Sequence, residues 1–141
     1  MLKLAAAASF AIAILHLAII FLGPEAYTWF GAPDLGALEA RGSRTPDLLT
    51  LVLVAVFALF GLYALSGAGA FRRLPLLAVG LIAIGTIYTL RGLGVVPDLL
   101  QLARGAAVPT RQLAFSLVSL GIGLLYLIGT ARRWPFLRAR G

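Results

Sequence analysis

The sequence predicts an all-α polytopic membrane protein: four transmembrane helices forming two parallel-repeated helical hairpins, each hairpin with a short outer-surface helix. Three observations carry this. The 141 residues are 61% hydrophobic and only 12% charged, with a mean hydropathy of +1.00. A soluble domain of that length cannot bury so much apolar surface. The excess lies in four stretches, Leu2–Leu22, Leu48–Gly67, Leu74–Leu90 and Gln112–Thr130, each near the ~20 residues a helix needs to cross a bilayer. Finally, one surface phrase is written twice: "PDLGALEARG" at 33–42 returns as "PDLLQLARG" at 97–105.

Taken in order, the first stretch opens with Lys3, like a signal peptide. Its apolar run is longer than a usual leader core, and no small-x-small cleavage site follows at Gly23-Pro24-Glu25. It is therefore expected to be a retained helix. Next comes "AYTWFG", where Tyr27, Trp29 and Phe30 are expected to form an aromatic belt at the outer interface. Trp134 is expected to do the same at the inner one.

The repeated phrase predicts one short helix in each copy. Asp34 or Asp98 follows a proline and would cap the first turn. Leu35 and Leu38, or Leu99 and Leu102, supply an apolar side. Arg41 or Arg104 falls in the last turn, and Gly42 or Gly105 stops the helix. Such elements would lie on the outer surface. Four residues after each glycine stands a proline, Pro46 or Pro109, and the next apolar stretch begins. The two copies are offset by 64 residues before a one-residue gap and by 63 after it. We read a single membrane domain, 1–141, built by duplication: repeat 1 at about 1–70, repeat 2 at about 71–135, and a basic tail at 132–141. Both copies run the same way, so their pseudo-twofold axis would lie along the membrane normal. Gly61, Ala64 and Gly67, then Gly80 and Gly85, then Gly121, Gly123 and Gly129 are the small residues expected to let the helices approach.

Charge sets the expected orientation. With alternating helices and a cytoplasmic amino terminus, one side holds Lys3, Arg72, Arg73, Arg132, Arg133, Arg138 and Arg140, with no acid. All five acids fall on the other side, against five arginines. The net charge of +7 then sits inside, as the positive-inside rule requires. The pI near 11.1 needs no nucleic-acid partner, and the tail could meet anionic headgroups. Expected partners are membrane lipids, with a homo-oligomer or a larger membrane complex. The expected location is a bacterial inner membrane, multi-pass, with both termini cytoplasmic.

The same residues exclude much chemistry. There is no cysteine, hence no disulfide, iron–sulfur cluster or thiol nucleophile. A single histidine rules out an all-histidine metal site or bis-histidine haem within one chain. HExxH, GxSxG and Walker signatures are absent. No cofactor is expected. A pairing of His16 with Ser116 or Ser119 would lack an acid to orient the histidine.

Differences between the copies point to a site. His16 is matched by Gly80, Tyr27 by Arg91, Leu48 and Leu49 by Arg111 and Gln112, and Val56 by Ser119. Counting along the helices puts these in the outer half of the membrane, and Tyr63, Ser66 and Tyr126 in the inner half. The candidate ligand-binding residues of an outward-facing pocket are His16, Tyr88, Arg91, Gln112, Ser116 and Ser119. Intramembrane polar groups usually face a bundle interior. Glu25, Asp47 and Asp98 are candidate partners for Arg91. Plainer roles compete: Arg91 can snorkel, His16 can bridge two helices, and the serines can bond their own backbone.

Two stretches, "HLAIIFLGPEAYTWFGAP" and "GLYALSGAGAFRRLPLL", resemble small uncharacterised bacterial four-helix inner-membrane proteins. The size is similar to that of the DoxX-like proteins, in architecture only. No DoxX motif residue maps onto the chain, so the resemblance implies no site. The leading functional expectation is a non-enzymatic protein. It would bind a small or lipid-like ligand in the outward-facing pocket, or serve as an accessory subunit of a membrane complex. The alternative is an oligomeric transporter or channel for a small solute, and the positive charge of Arg91 suits an anion better than a cation. An enzyme acting on lipid or quinone comes third.

Overall fold

The computed structural model describes residues 1–138; Arg140, counted above among the cytoplasmic cations, lies outside the described residues. The order is α1 (Leu2–Leu22), α2 (Pro24–Trp29), α3 (Pro33–Ala40), α4 (Thr45–Gly67), α5 (Leu77–Gly92), α6 (Val95–Ala103), α7 (Thr110–Arg132) and α8 (Trp134–Arg138). No strand occurs among the described residues. Among the described residues four spans are long and apolar enough to cross a membrane: Leu2–Leu22, Thr45–Gly67, Leu77–Ala103 and Thr110–Arg132. This makes the chain compatible with an integral membrane protein. The third span is α5 continued by α6 across a two-residue turn. At 1.5 Å per residue, α5 alone reaches roughly 24 Å, short of the ~30 Å hydrocarbon core.

The chain forms two compact units, one of Met1–Ala6 with the chain from Leu62 onward, the other of Ala7–Gly61. In the first, α5 and α7 pack along a seam of small residues. Leu81, Ile84, Gly85, Tyr88 and Gly92 face it from α5; Ser116, Ser119, Gly123, Tyr126 and Thr130 face it from α7. The spacing of three and four is that of one helical face. Gly92 lies against the backbone of Leu120, and Gly123 against the backbone and hydroxyl of Thr89, so a β-carbon at either would collide with the facing helix. Gly85 meets Leu127, and Gly129 receives Leu2. Gly121 is a correction: it faces open space and packs against nothing. It lies two residues from Gly123, roughly 200° around the helix, which turns it away from the seam.

In the Ala7–Gly61 unit, Gly61 on α4 meets the ring of Phe10 on α1. Ile19, Ala26 and Tyr27 form a small core with Phe30 and Leu35 packed on it. The first connection holds two short helices where the sequence predicts one. The extra helix, α2, runs through the expected aromatic belt and breaks it up. Tyr27 is buried whereas Trp29 is exposed, because two residues of helix place them on opposite sides.

Both copies of the repeated phrase stop as expected. After α3, Gly42 (φ 82°) donates to Glu39 O at 2.8 Å and Ser43 to Leu38 O at 3.1 Å. After α6, Gly105 (φ 78°) donates to Leu102 O and Ala106 to Gln101 O, both at 3.0 Å. These are paired Schellman bonds around a left-handed glycine. The starts differ from expectation, since neither aspartate caps. The N-cap positions are Ala32 and Gly94, without side-chain capping bonds. Pro33 opens α3, so Asp34 falls inside the helix, past the position from which a side chain reaches back.

Candidate functional site

The most developed polar cluster joins α6 to the first two turns of α7. Asp98 is 3% exposed. Its Oδ1 accepts from Gln112 Nε2 at 2.5 Å, and its Oδ2 from Ser116 Oγ at 3.5 Å. α6 is amphipathic: Val95 and Asp98 point inward, while Leu99, Leu100 and Leu102 are exposed. Gln112 and Ser116 stand four apart, on one face of α7, and both their side chains reach the same carboxylate. A buried carboxylate is costly unless hydrogen-bonded, so this contact fastens α6 to α7.

The other sequence candidates fall elsewhere. Ser119 is buried one turn further along the α5–α7 seam. Tyr88 is buried too, its ring stacked on Tyr126 with centroids 5.8 Å apart and planes at 19°. The stacking joins Tyr88, which the sequence reading puts in the outer half, to Tyr126, which it puts in the inner half. Arg91 is exposed. Of the acids considered as its partners, Asp98 is engaged with Gln112 and Ser116, and Asp47 with Tyr27. His16 belongs to the Ala7–Gly61 unit. Its Nδ1 donates to Ile12 O at 2.8 Å, one turn back on its own helix, and its ring lies 4.8 Å from that of Phe57.

The Ala7–Gly61 unit has a second polar cluster. Tyr27 on α2 donates its hydroxyl to Asp47 Oδ1, in the first turn of α4, at 3.3 Å. Burial pushes the Tyr27 phenol above its ordinary range; a hydrogen bond with Thr50 opposes this and the Asp47 charge adds to it. Burial also pushes the Glu39 carboxyl upward, and Asp47 pushes it further. Glu39 Oε2 is buried without a hydrogen-bond partner among the described residues. A proton on Glu39 relieves both the burial and the repulsion. Sequence reasoning missed this cluster, and named Asp47 and Asp98 only as candidate partners for Arg91 rather than for Tyr27, Gln112 and Ser116. The available signal was the i, i+4 pair of Gln112 and Ser116, a donor face that wants an acceptor.

At the opposite end of α7 the basic residues tie helix ends together. Arg133 donates from Nε to Gly67 O at 3.3 Å and from Nη2 to Ala68 O at 2.9 Å. It thereby satisfies carbonyls that α4 leaves open at its C-terminus. Arg73 Nη2 donates to Leu137 O at 2.7 Å. Tyr63 donates to Pro75 O at 3.1 Å, and Ser66 Oγ accepts from the Leu74 amide at 3.0 Å. Of the polar groups that the sequence reading puts in the inner half, Tyr63 and Ser66 thus latch the α4–α5 turn. Two cavities open here. One of about 630 Å³ runs along Arg73–Val79 and Leu137. One of about 310 Å³ is lined by Leu2, Lys3, Ala68, Gly129, Arg132 and Arg133, with Met1 at its edge.

No group of three or more His, Cys, Asp or Glu gathers as a metal site among the described residues. Comparison with protein-family models, curated proteins and solved structures found no match.

Proposed function

We propose that the protein is a non-enzymatic integral protein of the bacterial inner membrane, with both termini cytoplasmic. It acts through its apolar flank as an accessory subunit of a larger membrane complex. The supporting observation is the contrast between a filled interior and an open flank. The side chains that would line an outward-facing pocket are already engaged: Gln112 and Ser116 on Asp98, Tyr88 on Tyr126. α4, by contrast, exposes Leu48, Leu49, Leu51, Val52, Leu53 and Leu59, an arc of roughly 200° at 100° per residue. Only 17% of its most apolar stretch is buried, against 39% for α7. Between helices in lipid, association rests on such packing surfaces.

In this reading the chain is two hairpins with short helices at the outer surface, and the shared Schellman ends of α3 and α6 are what duplication would leave. The positive-inside rule supports the orientation. A reporter fused to the carboxyl terminus should be active only as a cytoplasmic marker. Gentle extraction followed by native mass spectrometry tests the role. Retention of a larger foreign subunit supports it. A chain recovered only with a small ligand, or only as a bare homo-oligomer, overturns it in favour of a binding protein or a channel.

A further inference from the structure

We propose that the smaller cavity at the basic end is a binding site for a phosphate-bearing anionic headgroup. The proposal does not depend on the accessory role. The cavity has about 310 Å³, at the lower end of the range for small-molecule sites. Three cationic side chains line it: Lys3, Arg132 and Arg133. No acid balances them, since none precedes Glu25, none lies between Asp47 and Asp98, and none follows Asp98. Arg133 is fixed in place. Two of its N–H groups hold the end of α4, and its guanidinium carbon lies 4.7 Å over the Phe136 ring. The fork has five donors, so others remain for a ligand. Lys3 and Arg132 are exposed at the rim, where their heads can close on an anion.

The rest of the wall is apolar or backbone: Leu2, Ala68 and Gly129. Gly129 helps shape it by admitting Leu2, since a β-carbon there would meet the Leu2 side chain at 2.9 Å. Cations on one side and hydrocarbon on the other suit an amphiphile whose charged end is phosphate. The location agrees, because α1 starts here while α4 and α7 end here, at the level where a membrane span meets the headgroups. A phospholipid or a free phosphate could supply this chemistry, and the test separates them.

The full chain in detergent is titrated with dioctanoyl phosphatidylglycerol, dioctanoyl phosphatidylcholine and inorganic phosphate, with binding read by native mass spectrometry. The wild-type protein should retain the anionic lipid and not the zwitterionic one. Lys3→Gln with Arg132→Gln should weaken it about twenty-five-fold, roughly fivefold for each charge. Arg72→Gln removes an exposed cation that does not line this cavity, and should change binding less than twofold. Lys3→Gln alone should give about a fivefold loss, and it decides the matter if the double variant does not fold. Inorganic phosphate displacing the lipid at comparable concentration assigns the site to a free phosphate; failure to displace it assigns the site to the headgroup. Equal retention of both lipids, unchanged binding in the double variant, or an equal loss in Arg72→Gln would overturn the proposal.

Discussion

The two polar clusters are built the opposite way round. In the unit that runs from Leu62, the acid is on the short helix, Asp98, and its donors are on the long one, Gln112 and Ser116. In the Ala7–Gly61 unit the acid is on the long helix, Asp47, and the donor is Tyr27 on a short one. Asp34 and Asp98 hold the same place in the repeated phrase, yet one is exposed and the other buried. The reason lies outside the phrase. The positions matching Gln112 and Ser116 in the first copy are Leu49 and Leu53, both exposed and without a donor to offer. The phrase governs how a short helix ends. Residues some fifteen positions downstream govern how it is fastened.

The comparison can be broken, first, at the glycines. Gly123→Leu drives a side chain into the Thr89 backbone and should cost about 3 kcal/mol or more. Gly61→Leu meets the edge of the Phe10 ring, which can turn, and should cost about 1–2 kcal/mol. Gly121→Leu should be near neutral. Thermal midpoints in detergent rank the three; equal losses at 121 and 123 would refute the seam.

The fastenings themselves come next. Asp98→Ala strands Gln112 and Ser116 and should lose about 1–3 kcal/mol. Tyr27→Phe removes the hydroxyl's bonds with Asp47 and Thr50 and should lose about 1–2 kcal/mol. If Tyr27→Phe proved the more damaging, the Asp98 cluster would not be the stronger fastening.

The shared stops should behave alike. Gly42→Ala and Gly105→Ala each force a β-carbon into the left-handed region, with open space around it, at about 1 kcal/mol each. Hydrogen exchange at the ends of α3 and α6 should accelerate in parallel, and acceleration at one end only would separate the two copies.

The smallest effect is a pH dependence in the Ala7–Gly61 unit. Because the Glu39 carboxyl is pushed upward in the folded chain, the folded state binds more protons than the unfolded one above the ordinary carboxylate range. Stability from this group therefore falls as pH rises through that window, and is recovered below it. Glu39→Gln should flatten the fall. Parallel melting curves for wild type and variant between pH 4 and pH 8 would show that Glu39 is not the source.

How much of this was legible in the sequence follows from where each property is stored. The four spans depend on length and apolarity alone, and the predicted stretches fall within three residues of the observed helices. The Gly42 and Gly105 stops are local, written in a few consecutive residues. The seam glycines were legible as small residues, but not by face, so Gly121 was grouped with Gly123. The roles of Asp34 and Asp98 could not be read from a phrase they share. Tyr27 was misplaced because an aromatic run looks like a belt until a helix sorts it by side. His16 and Arg91 stood out through the mismatch between copies, a signal that marks difference without saying what a side chain touches.

The bond from Arg133 to the end of α4 spans 65 and 66 residues of chain, and Leu2 seats against a residue 127 positions later. This has a consequence for biogenesis. At about 5–20 residues per second, the first turn of the nascent chain waits on the order of ten seconds before its partner is made. Until Arg133 is made, α4 emerges from the ribosome with its carbonyl end unfastened. A chain that stops before Gly129 loses both the seat for Leu2 and the Arg133 donors. Such a chain leaves the carbonyls at the end of α4 without their distant donors, although nearly all of its four apolar spans is already present.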